Sequence, residues 1–222
     1  MNIERVLLIR HGQTDWNIEG RWQGCLPVSL NDVGRSQARA LADYLRGRPI
    51  GAIYSSDLPR ALETATFIGD VLGLQPIPDN RLREFSLGVF EGRRRDELIE
   101  LYPEEWRAFR TEDADYVVPQ GESRRSLQNR MWAAWQHITA NGGGPEVAIV
   151  THGGSLKQLL LKLFGTTPEI QNLRFENTSV TTIERDGQGW QLAEMAVASH
   201  LENLTEIPVS GDVHTPPENQ TL

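Results

Sequence analysis

Two apolar runs, far apart in the chain, end in the same way. Val6-Leu-Leu-Ile-Arg-His-Gly12 and Val147-Ala-Ile-Val-Thr-His-Gly153 each place a histidine and then a glycine just past a β-prone stretch. A short continuous apolar run of this kind reads as a buried strand. In open α/β sheets, ligands bind beyond the carboxyl ends of the strands. If the two runs form neighbouring parallel strands, His11 and His152 face the same edge.

The rest of the chain supplies helices to cover such a sheet. Asn31 or Asp32 suits a helix N-cap, Val33, Gln37, Leu41 and Leu45 recur at helical spacing, and Gly47 stops the pattern. Ala52-Ile-Tyr54 is a further strand. Ser55-Ser56-Asp57 offers a cap, Pro59 suits a first helical turn, and Ala61, Ala65, Ile68 and Leu72 share a face before Gly73. This strand–helix alternation predicts an α/β fold, a three-layer α/β/α sandwich with a mostly parallel central sheet and helices on both faces. The stretch from Gln13 to about Leu30 reads as loop. Residues 76–121 are less regular, with a helix from about Arg93 through Trp106 to Phe109 and a loop from Thr111 to Gly121. We expect about 85–122 to form a small helical insertion, a lid over the active site. Glu122 to Ala140 and Ser155 to Phe164 read as helices, and Ser179–Glu184 and Trp190–Ala196 as a closing hairpin around Asp186-Gly187. Residues 1–202 are expected to be one domain, and 203–222, with Pro208, Pro216 and Pro217, a flexible tail.

Composition bounds the partners. A net charge of -8 argues against a nucleic-acid or anionic-membrane binder, although it says nothing of a single cleft. One cysteine, Cys25, excludes an intrachain disulfide and reads as a bystander. No apolar stretch resembles a leader or a membrane span, so a cytoplasmic protein is expected. Exposed tryptophans or an edge strand leave a homodimer open.

The third strand delivers Arg60 to the same sheet edge, through the first turn of its helix. His11, His152, Arg10 and Arg60 thus converge. Arginine forks match phosphate oxygens two at a time, and glycine-bracketed turns and helix N-termini, as at Gly153, add backbone N–H donors. A neutral imidazole can attack phosphorus and hold it covalently, and the leaving alkoxide then needs a proton from a nearby carboxylic acid. Phosphoryl transfer is the chemistry this set suits.

The motif Leu8-Ile-Arg-His-Gly-Gln-Thr14 resembles the signature of the histidine phosphatase, or phosphoglycerate mutase-like, superfamily. The likeness continues in order through Asn17, Gln23-Gly24, Leu30 to Ala38, Tyr54 to Ala65, Leu82-Arg-Glu-Phe85, Gly88 to Gly92, Gly121-Glu-Ser123 and Val150 to Gly153. It implies that His11 is the nucleophile, that Arg10, Arg60 and His152 form the phosphate pocket, and that Glu84 is the general acid. Glu91 and Asp79 are the neighbouring carboxylates that compete for that last role. The resemblance also implies that Asn17 is a further phosphate donor, that Gln23, Gly24 and Gly153 are substrate-side contacts, and that no metal or other cofactor takes part.

The expected activity is that of an acid-type phosphatase acting on a small phosphorylated metabolite. A mutase passes through the same intermediate, but its segment after the acid tends to read E-R-H-Y-G, where this chain has Glu84-Phe-Ser-Leu-Gly88 and a short middle segment. A non-catalytic phospho-ligand binder should have lost one of the four central residues, and all are present. A sugar phosphate, phosphoserine, a phosphoglycerate derivative and a nucleotide-loop phosphate all stay open as substrates. His200 resembles a C-terminal residue that approaches the substrate in some phosphoserine-phosphatase-like members. Arg21 and the run Arg93-Arg-Arg95 offer further cations, though a solvated helix start suits the run better. His137, Trp132 and Trp135 read as structural or interface residues, and His214 falls in the tail.

Overall fold

The computed structural model describes residues 3–202 and 204. In chain order the elements are β1 (Arg5–Arg10), α1 (Asp15–Glu19), α2 (Asp32–Tyr44), β2 (Ile50–Ser55), α3 (Pro59–Leu72), β3 (Ile77–Pro78), α4 (Arg95–Leu101), α5 (Pro103–Phe109), α6 (Arg124–Asn141), β4 (Glu146–Thr151), α7 (Gly153–Phe164), α8 (Pro168–Gln171), β5 (Val180–Asp186) and β6 (Gly189–Val197).

The strands form one sheet in the order β3-β2-β4-β1-β5-β6. The first four run parallel, and β5 and β6 append an antiparallel hairpin. Strand residues alternate between two cores. Val6, Leu8, Val147 and Ile149 face one apolar layer, which includes Leu127 and Met131 of α6 and Leu156 and Leu160 of α7. Leu7, Ile9, Ala148 and Val150 face another, with Leu41 of α2 and Ala61, Ala65 and Ile68 of α3. A sheet buried on both faces explains why its central strands are continuously apolar rather than alternating. The fold is the expected three-layer α/β/α sandwich.

The register sets the site. Arg10 of β1 pairs with Thr151 of β4, so His11 and His152 leave adjacent parallel strands at the same level. Gly12 is required there, because a Cβ would lie 2.6 Å from the Gly34 carbonyl oxygen of α2.

Local differences from the sequence reading have local causes. The segment read as loop after Gln13 contains α1, closed by a capping box in which Thr14 and Asn17 bond each other's backbone. The helix expected over Arg93–Phe109 is two helices that break at Tyr102, because Pro103 lacks an N–H and occupies the first turn of a new helix. The N-cap of α3 is Leu58, without a side-chain cap; Ser56 Oγ instead accepts the Leu58 N–H from outside the helix. Trp135 is buried and packs edge-on against Trp190, and His137 is exposed. Among the described residues no helix is long and apolar enough to cross a membrane. The expected tail lies outside the described residues except for Leu204, and His214 lies outside them too.

Candidate active site

His11 is buried at the end of β1. Its Nδ1 lies 2.7 Å from the Gly12 carbonyl oxygen. A carbonyl only accepts, so Nδ1 carries the ring proton and Nε2 keeps its lone pair. Arg60 Nε donates to that lone pair at 3.2 Å. Burial pushes the His11 pKa well below the ordinary imidazole value, and the charges of Arg60 and Arg10 push the same way. The ring is therefore held neutral, with its free nitrogen aimed at a guanidinium.

Arg60 is fully buried in the first turn of α3. Its Nη1 donates to the Leu26 carbonyl at 3.0 Å and its Nη2 to the Gly24 carbonyl at 2.8 Å. Burial lowers its pKa to about 10, so it stays charged near neutrality. Arg10 Nη1 donates to the Phe175 carbonyl. The His152 ring centroid lies 5.1 Å from that of His11. His152 Nε2 meets Ser56 Oγ at 2.8 Å, and its Nδ1 is buried with no protein partner. Burial, then Arg60 and His11, hold His152 well below the ordinary imidazole value.

A small cavity of about 30 Å³ is lined in part by Arg10, His11, Asn17, Arg60, Glu84 and Gly153, and His152 packs against His11 without being part of that lining. A water needs roughly 10–15 Å³ in this measure, so the hollow matches a phosphoryl group rather than a whole metabolite. Gln23 and Gly24 complete its wall, as do Arg21 and Trp22. Asn17 Oδ1 accepts from Thr14 N and Thr14 Oγ1, which leaves its amide N–H groups for a ligand.

Glu84 is buried and also lines the cavity, bonded to the N-terminus of α7. Its Oε1 accepts from Phe85 N at 2.8 Å and from Ser155 N at 3.1 Å, and its Oε2 accepts from Gly154 N at 3.1 Å. Gly154 makes room, since a Cβ there would lie 2.7 Å from Oε1. The two competing carboxylates are engaged elsewhere. Glu91 accepts the Cys25 and Leu87 N–H groups, and Asp79 is paired with Arg81.

Several supporting residues were not singled out in the sequence. Arg130 of α6 donates to the carbonyls of Arg81, Arg83 and Glu84 and pairs with Glu122, which also accepts the Ser86 N–H. Thr151 and Ser155 hydroxyls donate to the carbonyls of Leu82 and Arg83. The segment bearing Glu84 is thus clasped from both sides. Asn177 Nδ2 donates to the His11 carbonyl at 3.0 Å, and Thr178 N donates to that of Arg10 at 3.0 Å.

His200 does not line the cavity. Its Nε2 meets Thr178 Oγ1 at 3.0 Å, beside Tyr44, and burial lowers its pKa to about 4. Arg93 and Arg95 are spent over the Tyr102 and Trp106 rings, and Arg94 precedes α4. Arg21, by contrast, reaches the cavity wall while bonded to Glu19 and the Gly92 carbonyl. Cys25 Sγ donates to the Glu84 carbonyl, and burial raises its pKa to about 11, so it is an unreactive thiol. Among the described residues no group of three or more His, Cys, Asp or Glu side chains is placed to hold a metal ion.

The family model described as histidine phosphatase superfamily (branch 1) matches residues 6–198. The chain belongs to this superfamily. Within the superfamily, it is 37% identical to phosphoglycerate mutase-like protein 4 of Arabidopsis thaliana, over 89% of this chain and 86% of that one. The solved structure of Bacillus stearothermophilus YhfR superposes with a TM-score of 0.80 at 35% identity, over 89% of this chain and 99% of that one. A mycobacterial glucosyl-3-phosphoglycerate phosphatase, solved with VO3, superposes with a TM-score of 0.78 at 33% identity, over 87% of this chain and 99% of that one.

Proposed function

We propose that this chain hydrolyses phosphomonoesters of small metabolites through a phosphohistidine on His11. The observation that carries the reading is the unprotonated Nε2 of a buried, neutral imidazole, set in a phosphoryl-sized cavity with Arg60 at its side and Glu84 on its wall. Nε2 attacks phosphorus, the P–O ester bond breaks, and Glu84 passes a proton to the leaving alkoxide. Water then attacks the phosphohistidine, Glu84 takes its proton, the P–N bond breaks and inorganic phosphate departs. Arg10, Arg60 and His152 stabilise the charge on the equatorial oxygens in both steps, with Asn17 and the backbone near Gly153 as further donors. Gln23 and Gly24 border the leaving-group side.

The depressed His11 pKa supports an acid-type enzyme. A group that resists protonation stays nucleophilic as pH falls through 6.5, the ordinary imidazole value, so kcat/KM should not drop there. Folding stability should begin to fall in that same range, because unfolded histidines bind protons that the buried rings refuse. A drop in kcat/KM with an apparent pKa near 6.5 would remove this support.

The chemical step is tested by trapping. Brief reaction with ³²P-labelled phosphomonoester, quenched in alkali, should leave acid-labile, alkali-stable label on His11. Turnover with no such label, or label on another residue, overturns the mechanism. The relatives include a phosphoglycerate mutase-like protein, which keeps a mutase as the second reading. Interconversion of 3- and 2-phosphoglycerate faster than phosphate release would favour it.

A further inference from the structure

Gln37 stands in the apolar stripe of α2, one turn before the core residue Leu41, and is itself buried. A buried amide in such a place needs hydrogen-bond partners. Its Oε1 accepts the Gln13 N–H at 2.9 Å. That N–H belongs to the same peptide group as the Gly12 carbonyl, which accepts the His11 Nδ1 proton at 2.7 Å. Gln37, one peptide group and the His11 imidazole therefore form a line of buried hydrogen bonds that ends at the Nε2 lone pair.

The helix reaches this peptide because Gly34 carries no side chain. A Cβ there would overlap the Gln13 carbonyl and lie 2.7 Å from the Gln13 nitrogen. Gln37 follows three residues later, on the same face. The peptide groups on either side have partners of their own. Asn177 Nδ2 holds the carbonyl of the 11–12 peptide and Thr64 Oγ1 its N–H, both at 3.0 Å. The Asn31 N–H holds the carbonyl of the 13–14 peptide and Asn17 Oδ1 its N–H, again at 3.0 Å. Between them, the 12–13 peptide depends on the imidazole at one end and on Gln37 at the other.

A peptide can meet an imidazole nitrogen in two ways. With its carbonyl toward Nδ1 it takes the proton there and leaves Nε2 a free pair. Turned over, its N–H donates to Nδ1, and the ring proton moves to Nε2, which then cannot attack phosphorus. Gly12 has no Cβ to resist that turn. With Gln37 in place, the peptide turns only if the buried amide turns with it. Without the Gln37 oxygen, the productive arrangement strands a buried N–H, which is costly, and the turned peptide escapes that cost. The line matters again during attack. Once Nε2 bonds to phosphorus the ring is cationic, and its Nδ1–H bond strengthens toward a carbonyl that Gln37 already polarises.

We propose that Gln37 is a positioning residue for His11, setting through the 12–13 peptide which ring nitrogen carries the proton. Its consequence for turnover rests on the phosphohistidine reading; the tautomer itself is a property of the free protein.

The experiment reads the tautomer directly. In protein labelled with ¹⁵N in histidine, long-range ¹H–¹⁵N correlations distinguish a protonated from a bare ring nitrogen, and His11→Ala protein identifies the His11 signals. Wild type should show Nδ1 protonated and Nε2 bare. Gln37→Met, similar in size but without the oxygen, should move the proton partly or wholly to Nε2. It should also lower kcat/KM on p-nitrophenyl phosphate by about tenfold or more. Gln37→Glu, which returns an acceptor at the same reach, should restore the wild-type spectrum and most of the rate. Gln37→Asn, one methylene short, should shift the proton in the same direction as Gln37→Met, so the test survives if the latter does not fold. An Nδ1 proton left in place in the Met and Asn variants overturns the proposal, whether or not activity falls. A wild-type proton on Nε2 overturns it as well. If the tautomers move as expected but wild type hydrolyses neither p-nitrophenyl phosphate nor any other phosphomonoester, the hydrolase reading fails and the role of Gln37 stands.

Discussion

After β1 the chain is irregular until α1 begins at Asp15, whereas after β4 it turns at once into a helix, and this separates the two histidines. Both follow parallel strands in register. At the first corner the Gly12 carbonyl is free of helical bonding and accepts the His11 Nδ1 proton, which leaves the Nε2 lone pair unprotonated. At the second, His152 is the N-cap of α7, so the next backbone groups are donors. Two of them, Gly154 N and Ser155 N, hold Glu84, and the imidazole itself leans on the Ser56 hydroxyl. One pattern of strand, histidine and glycine thus yields an imidazole nitrogen with a free lone pair where a carbonyl follows, and a seat for a carboxylate where a helix follows, the two groups proposed as nucleophile and acid.

The comparison breaks most sharply at the rings themselves. His11→Ala should lower kcat/KM by about 10⁴-fold or more, because a nucleophile acts as part of a unit. His152→Ala should cost about 10²–10³-fold, the scale of one lost transition-state donor. Phosphoenzyme labelling should vanish in the first and persist, slowed, in the second. Label in His11→Ala protein, or none in His152→Ala protein, would reverse the two roles.

A finer cut goes through Arg130, which touches the Glu84 segment and not the cavity. Arg130→Met should free that segment while leaving the His11 corner intact. Loss of proton donation hurts a poor leaving group and spares a good one. We expect kcat/KM to fall roughly 10–100-fold on an alkyl phosphate and only a few-fold on p-nitrophenyl phosphate. Since kcat/KM reports steps up to phosphoryl transfer to His11, later hydrolysis does not blur the reading. Equal losses on both esters would mean that Arg130 supports the fold in general.

The sequence was most informative where one residue type has one structural use. Continuous apolar strands, helical spacing and the repeated His–Gly corner are enough to place four charged or titratable side chains at one sheet edge. Glu84 was harder, because three carboxylates lie within a short stretch and periodicity does not rank them. The contacts of Glu91 with Cys25 and Leu87, and of Asp79 with Arg81, are set by tertiary packing. Arg130 was invisible for a similar reason. Apart from Glu122, its partners are backbone carbonyls forty-six to forty-nine residues away, and carbonyls leave no mark in sequence. The break at Tyr102 was legible in Pro103, but the apolar spacing across it hid the signal.

The smallest expected effect tests how far Ser56 belongs to the second corner. Its hydroxyl oxygen accepts the Leu58 N–H at 3.2 Å and lies 2.8 Å from His152 Nε2. Ser56→Ala strands a ring nitrogen in a site where burial already resists charge, at a cost of about 1–3 kcal/mol. If the hydroxyl orients His152 toward the transition state, kcat should fall roughly five- to tenfold with KM little changed. Ser56→Thr, which keeps the hydroxyl, should recover most of the loss. The decisive measurement is the double variant. Two residues acting through one contact are not additive, so Ser56→Ala should cost almost nothing further in a His152→Ala background. A full additional loss there would place Ser56 in the helix start of α3 alone and leave the orientation of His152 to its packing.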